Sequence, residues 1–152
     1  MNIRPLDPSD PQTAADVLAL QRVSYRREAR LIGFDRLPPL VETLTELQSS
    51  DETFVGAFVD GALAGIASWR LDGDTLAIHR LAVHPQAFRR GLGRALVRAA
   101  LVATPSGGRV VVQTGAANDP ARALYVAEGF HLVGERDVLP GLRVATFERA
   151  AP

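Results

Sequence analysis

Residues 75–103 read TLAIHRLAVHPQAFRRGLGRALVRAALVA, a stretch that joins an apolar run to a basic turn and an amphipathic segment. Its first part predicts a buried strand that ends before Pro85, because proline has no N–H to donate to a sheet ladder. The apolar residues of this strand are Leu76, Ile78, Leu81 and Val83. Its last part predicts a helix, because the apolar residues recur with the period of one helix face. These residues are Leu92, Ala95, Leu96, Ala99 and Val102.

The turn between this strand and this helix has the chemistry of a phosphate site. Gly91 and Gly93 let the backbone approach a ligand closely. The first N–H groups of the helix, from Leu92 onward, have no partner inside it, and the positive end of the helix dipole attracts anions. Arginines add positive charge on both sides of the first glycine, at Arg89, Arg90 and Arg94. The turn therefore predicts contacts with the phosphate groups of a ligand.

Two common glycine-rich phosphate loops do not fit this turn. A dinucleotide-binding fingerprint requires glycine or alanine three residues after Gly93, and this position holds Leu96. A Walker A loop requires Gly-Lys followed by serine or threonine, which the turn lacks.

A second motif lies at residues 118–130, which read NDPARALYVAEGF. Asp119 is a residue type that caps helices, and Pro120 suits a first helical turn. Gly129 suits the left-handed position that ends a helix. We therefore predict a short helix that begins at Asp119 and stops before Gly129.

Together the two motifs resemble those of the GCN5-related N-acetyltransferases, the GNAT superfamily. In that family, a strand that often ends Val-x-Pro leads to Gln/Arg-x-x-Gly-x-Gly/Ala, and this strand ends Val83-His84-Pro85 before Gly91 and Gly93. Phe88 stands at the Gln/Arg position and departs from the pattern. Residues 118–130 match the family pattern Asn-x-x-Ala-x-x-Leu-Tyr-x-x-x-Gly-Phe at every specified position.

The resemblance implies a single α+β domain of three layers that spans residues 1–152. Its central sheet is mixed but mostly antiparallel, with about seven strands and about four helices, and it splays between strands 75–84 and 109–114. Asp-Gly pairs predict hairpin turns after residues 53–59 and after residues 62–71. The remaining predictions are an edge strand at 2–6, a helix from Pro11 to about Arg30, a loop at Leu31–Pro39, a helix marked by Leu40, Leu44 and Leu47, and strands at 131–136 and 142–149.

The resemblance also implies the reaction, which moves an acetyl group from acetyl-CoA to a primary amine. The N–H groups of Arg89, Arg90, Gly91, Leu92, Gly93 and Arg94 would hold the pyrophosphate. The backbone of Leu81, Ala82 and Val83 would pair with the pantetheine arm like an added strand, and an N–H there would hold the thioester oxygen. Asn118 would orient the cofactor or its loop. Tyr125 matches the family's general acid, because a phenol with a pKa near 10 is protonated at neutral pH.

The base and the acceptor pocket are less sharply marked in the sequence. An alkylammonium must lose its proton before it attacks, and His79 on the predicted strand at residues 75–84 is a candidate base. Glu28 on the first helix is the alternative. Tyr25, Glu28, Phe34 and Trp69 are candidates for the lining of the acceptor pocket, although a tryptophan on a strand is more often part of the core, which is the alternative for Trp69.

Composition excludes several classes of protein. Seventeen basic residues balance seventeen acidic ones, and the arginine patch at residues 89–98 lacks interleaved aromatics, so nucleic-acid binding is not expected. The absence of cysteine excludes thiolate chemistry, and the histidines have no third partner at metal spacing, so we expect no metal. With no apolar run long enough for a membrane span, a cytoplasmic location is expected. The sequence leaves open whether the acceptor is a small molecule or a protein and whether the protein forms a homodimer. It also leaves open the alternative of a catalytically silent acyl-CoA sensor.

Overall fold

The structure is a computed structural model that describes residues 1–37 and 41–152. Its centre is a seven-stranded sheet in the order β1-β2-β3-β4-β5-β7-β6, in which only β4 and β5 run parallel. The mixed sheet predicted from the sequence is therefore confirmed. The strands are β1 (Asn2–Leu6), β2 (Thr53–Val59), β3 (Ala62–Asp72), β4 (Thr75–Val83), β5 (Arg109–Gly115), β6 (His131–Leu139) and β7 (Leu142–Ala150).

Tight turns form the hairpins at the predicted places. Asp60 and Gly61 join β2 to β3 with positive φ angles of 51° and 80°, the backbone shape that matches the twist of paired strands. The last hairpin is longer than predicted, because Leu139 pairs with Leu142 directly across the turn at Gly141.

Among the residues that the structure describes, the four α-helices with defined bounds lie close to those predicted. They are α1 (Pro11–Ile32), α2 (Leu44–Gln48), α3 (Leu92–Ala103) and α4 (Asp119–Ala127). In α2, Thr43 and Glu46 form a capping box, so this helix begins after the predicted start. The predicted start at Leu40 and the end of the predicted loop, Pro38 and Pro39, lie outside the described residues. Along the described chain, no helix has the length and apolar character needed to cross a membrane.

The cap of α4 differs from the prediction. Asn118, not Asp119, occupies the N-cap, and its side-chain oxygen accepts the N–H of Ala121 at 3.2 Å. Both residue types accept such hydrogen bonds, so the sequence alone does not separate them. The shift places the Asn118 side chain at the helix entrance, where it bears on the site described below.

The helices cover the two faces of the sheet and enclose two apolar cores. On one face α3 and α4 pack against residues that include Leu76, Ile78 and Val112. On the other face α1 packs with Leu47 of α2 against residues that include Ile66 and Ala82.

A bulge in β4 changes the face of the sheet to which its following side chains point. Ser68 of β3 pairs with Arg80, whereas the next residue, Trp69, pairs with Ile78, so His79 is an extra residue on β4. Leu81 and Val83 therefore pack on the same core as Ile78, although an uninterrupted alternation would turn them to the opposite face.

β4 and β5 pair over only part of their length. The ladder joins Thr75–Ile78 to Arg109–Val112 and stops there, so the strands splay beyond the bulge as predicted. Within the described residues, Leu81–Val83 have a strand partner in β3 and none on the side of β5.

Candidate active site

A cleft of about 790 Å³ lies where β4 and β5 separate. Its wall consists of residues from α1, from the segment that leads into and through α2, and from β4, β5 and β7. Four of these residues are glutamates: Glu28, Glu42, Glu46 and Glu52. The basic residues of the wall are Arg80 and His79, so the wall carries more acidic than basic groups.

The β4 edge that faces the cleft meets α1. The N–H of Leu81 donates to the hydroxyl oxygen of Tyr25 at 3.2 Å. The Tyr25 side chain is buried, and burial together with the nearby Glu28 carboxyl raises the pKa of its phenol far above the usual value. Tyr25 is therefore a neutral phenol fixed on the strand edge.

Tyr125 approaches the same point from the opposite face of the sheet. It lies close enough to Tyr25 to contribute to the raised pKa of that phenol. Burial, followed by the charge of Glu28, also raises the pKa of Tyr125. Its ring packs near Phe130 and Phe147, with centroid distances of 5.6 and 5.9 Å. The splay thus brings two phenols from separate helices together.

The Tyr125 hydroxyl keeps its hydrogen-bonding capacity. Over residues 1–37 and 41–152, no side chain or backbone group forms a hydrogen bond with this hydroxyl. Its oxygen is nevertheless not among the fully buried polar atoms, so it is partly accessible. Since a phenol is one donor and an acceptor, Tyr125 can donate to a group that enters the splay.

Glu28 is the carboxyl shared by this pair. Burial raises its pKa, and the nearby Asn118 side chain partly offsets that effect. A glutamate with a raised pKa beside two phenols is a typical proton acceptor of an active site. The sequence placed Glu28 in the acceptor pocket and named it as the alternative base, and the structure brings it together with Tyr25, Asn118 and Tyr125.

His79 lies further along the cleft wall. The bulge turns both His79 and Arg80 toward the cleft, and the imidazole Nδ1 is 3.9 Å from Oε2 of Glu52. The imidazole is about one third exposed, so it is open to an incoming molecule.

Sequence reasoning missed the buried ion cluster at the base of the cleft. Arg80 donates from Nε to Glu52 at 3.0 Å, from Nη2 to Glu42 at 2.9 Å and from Nη1 to Gln21 at 2.7 Å. Burial lowers the pKa of the guanidinium, but the two carboxylates outweigh it and raise the pKa. Burial likewise raises the pKa of Glu52, and hydrogen bonds from Arg80 and Ser68 outweigh it, so that pKa is lowered. The cluster links the segment before α2 to β4 through hydrogen bonds. In the sequence, its only signal was an arginine within an otherwise apolar strand.

The glycine turn has the backbone shape that an anion site needs. Gly91 precedes α3 with a φ of 76°, and Arg89 also has a positive φ, of 65°. Phe88 stands at the position where the family motif has glutamine or arginine. The guanidinium carbon of Arg27 lies over its ring, 4.8 Å from the ring centroid. α1 therefore brings a positive charge to this turn from outside the motif.

The arginine patch is partly neutralised within the fold. Glu128, which is buried, accepts from Arg98 at 2.8 Å and lies 3.3 Å from Arg94. Among the described residues, Arg89 and Arg90 form no ion pair and are exposed. Only part of the predicted positive charge is therefore available to a phosphate.

Two expected pocket residues lie elsewhere. The Trp69 side chain is buried in the core under α3 and α4 and is not part of the cleft wall, because it alternates on β3 with Ser68, whose hydroxyl contacts Glu52 on the cleft side. Phe34 is buried after the end of α1 and lines a separate hollow with residues that include Arg26 and Asp35. Neither residue is therefore among those that line this cleft.

Comparison with known proteins agrees with this geometry. Residues 16–130 match the model of the Acetyltransferase (GNAT) family. The chain is 36% identical over 127 residues to N-alpha-acetyltransferase RimI of Mycobacterium tuberculosis, covering 78% of this chain and 79% of the relative. It is also 36% identical over 134 residues to the UPF0157 protein YqkA of Bacillus subtilis, covering 88% of this chain but 39% of that relative.

The likeness extends to solved structures. The structure of yncA from Salmonella typhimurium, a putative acetyltransferase with its cofactor acetyl-CoA, superposes with a TM-score of 0.72 at 16% identity. The alignment covers 100% of this chain and 94% of that chain. At this level of identity the likeness concerns the fold alone.

Proposed function

The chain belongs to the GNAT acetyltransferase family, and on that premise we propose that it moves an acetyl group from acetyl-CoA to a primary amine by direct attack. The observation that carries the proposal is the Tyr125 hydroxyl, which has no hydrogen-bond partner among the described residues, packs in one core with Leu81 and Val83 of the open β4 edge and is influenced by the charge of Glu28. A donor, a proton acceptor and an unpaired strand edge meet at one point, and acetyl transfer to an amine needs these three features.

The residues present fit the acyl donor. The edge of Leu81–Val83 that faces the splay can pair with the amide groups of a pantetheine arm, as sheet edges bind extended peptides. The N–H groups that open α3 after Gly91 can hold a pyrophosphate, with Arg89 and Arg90 beside them. Asn118 at the start of α4 is committed to its cap and to Glu28, so we assign it a role in orienting that carboxyl. When bound, acetyl-CoA supplies an activated acyl carbon.

The chain's own groups carry the protons of the reaction. The amine nitrogen forms a bond with the acetyl carbon, and the carbon–sulfur bond breaks. Tyr125 donates a hydrogen bond or its proton to the departing sulfur, and a base takes the proton that the amine loses. The products are an acetamide and free CoA thiol.

We propose Glu28 as that base, with His79 as the competing candidate. Glu28 is beside both phenols, whereas His79 faces Glu52 further along the cleft. Burial raises the pKa of Glu28, which makes its carboxylate a better proton acceptor.

The acceptor class follows from the charge of the cleft wall. Four glutamates face one arginine, and two of the glutamates, Glu42 and Glu52, already pair with Arg80. The remaining negative charge favours an acceptor that arrives as an ammonium ion, since unlike charges attract within the low-dielectric cleft. A small amine and the N-terminal amine of a protein both meet this requirement, and RimI is named for the second activity.

Calorimetry and an amine screen test the proposal. Acetyl-CoA should bind, with NAD and ATP as negative controls. Release of free thiol should then depend on an added amine, tested with a panel of small amines and with N-terminal peptides. Binding without thiol release for any amine would favour the alternative, a catalytically silent acyl-CoA sensor. Absence of acetyl-CoA binding to protein shown by mass spectrometry to carry no ligand would contradict both.

A further inference from the structure

The hydroxyl of Tyr25 stands at the β4 amide that faces the splay. Its oxygen is 3.2 Å from the Leu81 nitrogen and accepts the N–H. A ligand oxygen that binds this N–H would take the position of the hydroxyl. The phenol would then shift by about 3 Å, the length of one hydrogen bond, and would remain adjacent to the ligand oxygen.

The proton of this hydroxyl is not committed within the described structure. Tyr25 accepts from Leu81, and along residues 1–37 and 41–152 no group accepts a hydrogen bond from it. Because burial and Glu28 raise the pKa of the phenol, the proton stays on the oxygen at neutral and moderately alkaline pH. Tyr25 therefore holds an unused donor beside a second donor, the Leu81 N–H.

The scaffold around Tyr25 keeps the displaced phenol close to the strand edge. Its side chain is 7% exposed and belongs to the core between α1 and the sheet. α1 is capped at its start by Asp10, whose carboxylate accepts the Thr13 N–H, and is ended by Gly33 in a left-handed conformation. Once the bound ligand has displaced the hydroxyl from the Leu81 N–H, the donor is therefore already beside the ligand oxygen when charge develops there.

We propose that Tyr25 donates its phenolic hydrogen to the carbonyl oxygen of the acetyl thioester, as the second donor of an oxyanion hole whose first donor is the Leu81 N–H. This inference rests on the proposed function. When the amine attacks, electrons move from the carbonyl bond onto the oxygen, and two preorganised donors stabilise that charge.

The two tyrosines then divide the work between two atoms of the same thioester. Tyr25, from α1, serves the oxygen, and Tyr125, from α4, serves the sulfur. The two helices lie on opposite faces of the sheet, so each phenol reaches the acyl group from its own side. This division makes each tyrosine the matched control for the other.

Infrared difference spectroscopy distinguishes the two roles. The probe is acetyl-CoA labelled with ¹³C at the carbonyl, bound without amine to the wild type, to Tyr25→Phe and to Tyr125→Phe. We expect the carbonyl stretch to fall on binding to the wild type and to Tyr125→Phe, and to fall by clearly less in Tyr25→Phe, where the Leu81 N–H is the donor that remains. Tyr25→Phe should also lower kcat about a hundredfold, as the loss of one oxyanion donor does.

Equal carbonyl frequencies in the wild type and Tyr25→Phe would overturn the inference. So would tighter binding of acetyl-CoA to Tyr25→Phe with unchanged turnover, because the hydroxyl would then only block the Leu81 N–H. Failure of the wild type to bind acetyl-CoA would remove the proposed function, and the missing wild-type spectrum identifies that case. If Tyr25→Phe does not fold, 3-fluorotyrosine at position 25 replaces it, because this residue is a stronger acid of similar shape. It should lower the carbonyl stretching frequency of bound acetyl-CoA further than Tyr25 does. An unchanged frequency would refute the role of Tyr25.

Discussion

Arg80 and Glu52 form a hydrogen bond of 3.0 Å at the base of the cleft, and their side chains are only 10% and 7% exposed. Removing one member of a buried ion pair leaves the other charge without compensation. We expect Arg80→Met, which keeps the aliphatic volume, to lower the free energy of unfolding by about 3–5 kcal/mol at neutral pH. Chemical denaturation followed by circular dichroism measures this. Arg70→Met is the control, because Arg70 pairs with Asp51 at the surface and its loss should cost about 0–1 kcal/mol.

The pH dependence of Arg80→Met provides a sharper test of the same pair. The pKa of Glu52 is lowered in the folded wild type, so its stabilisation is present above the ordinary glutamate pKa and is lost as pH falls through the lowered one. In the variant, burial acts on Glu52 without Arg80, so its folded pKa should rise and stability should fall as pH increases. The two unfolding curves should therefore converge in acid and diverge toward neutrality. Parallel curves would contradict the coupling.

Tyr125→Phe should lower kcat by about two to four orders of magnitude, the usual contribution of a general acid. Acetyl-CoA affinity should change little, because the phenol is assigned to the departing sulfur and not to the pyrophosphate or the pantetheine. Single-turnover rates of thiol release and calorimetric affinities measure the two quantities separately. Unchanged turnover would remove Tyr125 as the acid.

Glu28→Gln and His79→Gln distinguish the two candidate bases. Burial raises the pKa of Glu28, so its carboxylate form, and with it activity, should be lost as pH falls through that raised pKa. We expect the acidic limb of the kcat/KM profile to disappear in Glu28→Gln and to persist in His79→Gln. The opposite pattern would make His79 the base.

Stability provides a second readout for Glu28. A carboxyl whose folded pKa is raised binds its proton more tightly in the folded state, so the protein loses stability as pH rises from the ordinary to the raised pKa. Glu28→Gln should therefore unfold at a higher temperature than the wild type at neutral pH, while it loses activity. A substitution that raises stability while it lowers activity is typical of an active-site residue. An unchanged or lower unfolding temperature would mean that the carboxylate is stabilised by its neighbours.

Gly91→Asp should abolish acetyl-CoA binding, because it places a carboxylate where the pyrophosphate is proposed to lie. The matched control is Gly107→Asp in the loop that follows the C-terminal end of α3, a helix that is itself about 18 Å long. The two glycines have φ angles of 76° and 79°, and an added Cβ meets nothing within 4 Å at either, so both substitutions strain the backbone equally. Binding by calorimetry should be lost only in Gly91→Asp. Equal effects would mean that strain, and not charge, is responsible.

The parts of the fold that the sequence predicted well have local causes. Asp60-Gly61 determines its hairpin through backbone conformation alone, and Gly91 marks the entrance to α3 in the same way. The pairing of Arg80 with Glu42 and Gln21 could not be predicted, because it depends on how a distant segment returns to β4. The position of Trp69 in the core could not be decided from the sequence, because it depends on which face of β3 the helices α3 and α4 cover.

The bulge itself left a trace in the sequence. The apolar residues Leu76, Ile78, Leu81 and Val83 are spaced by two, three and two positions, and all four pack on one core. A spacing of three within an alternating strand indicates an extra residue. A prediction of β4 that omits the extra residue has the right strand residues, but it assigns those after the bulge to the wrong face of the sheet.

That extra residue has a consequence for how this chain can vary. Deletion of His79 would restore the simple alternation of β4, and every side chain from Arg80 to Val83 would exchange faces. The guanidinium would then enter an apolar core, and Leu81 and Val83 would turn toward α1. Substitutions along β4 change one contact each, whereas a change in the number of its residues changes all of them. We therefore expect related chains to tolerate many residue types in this strand but no insertion or deletion of a single position.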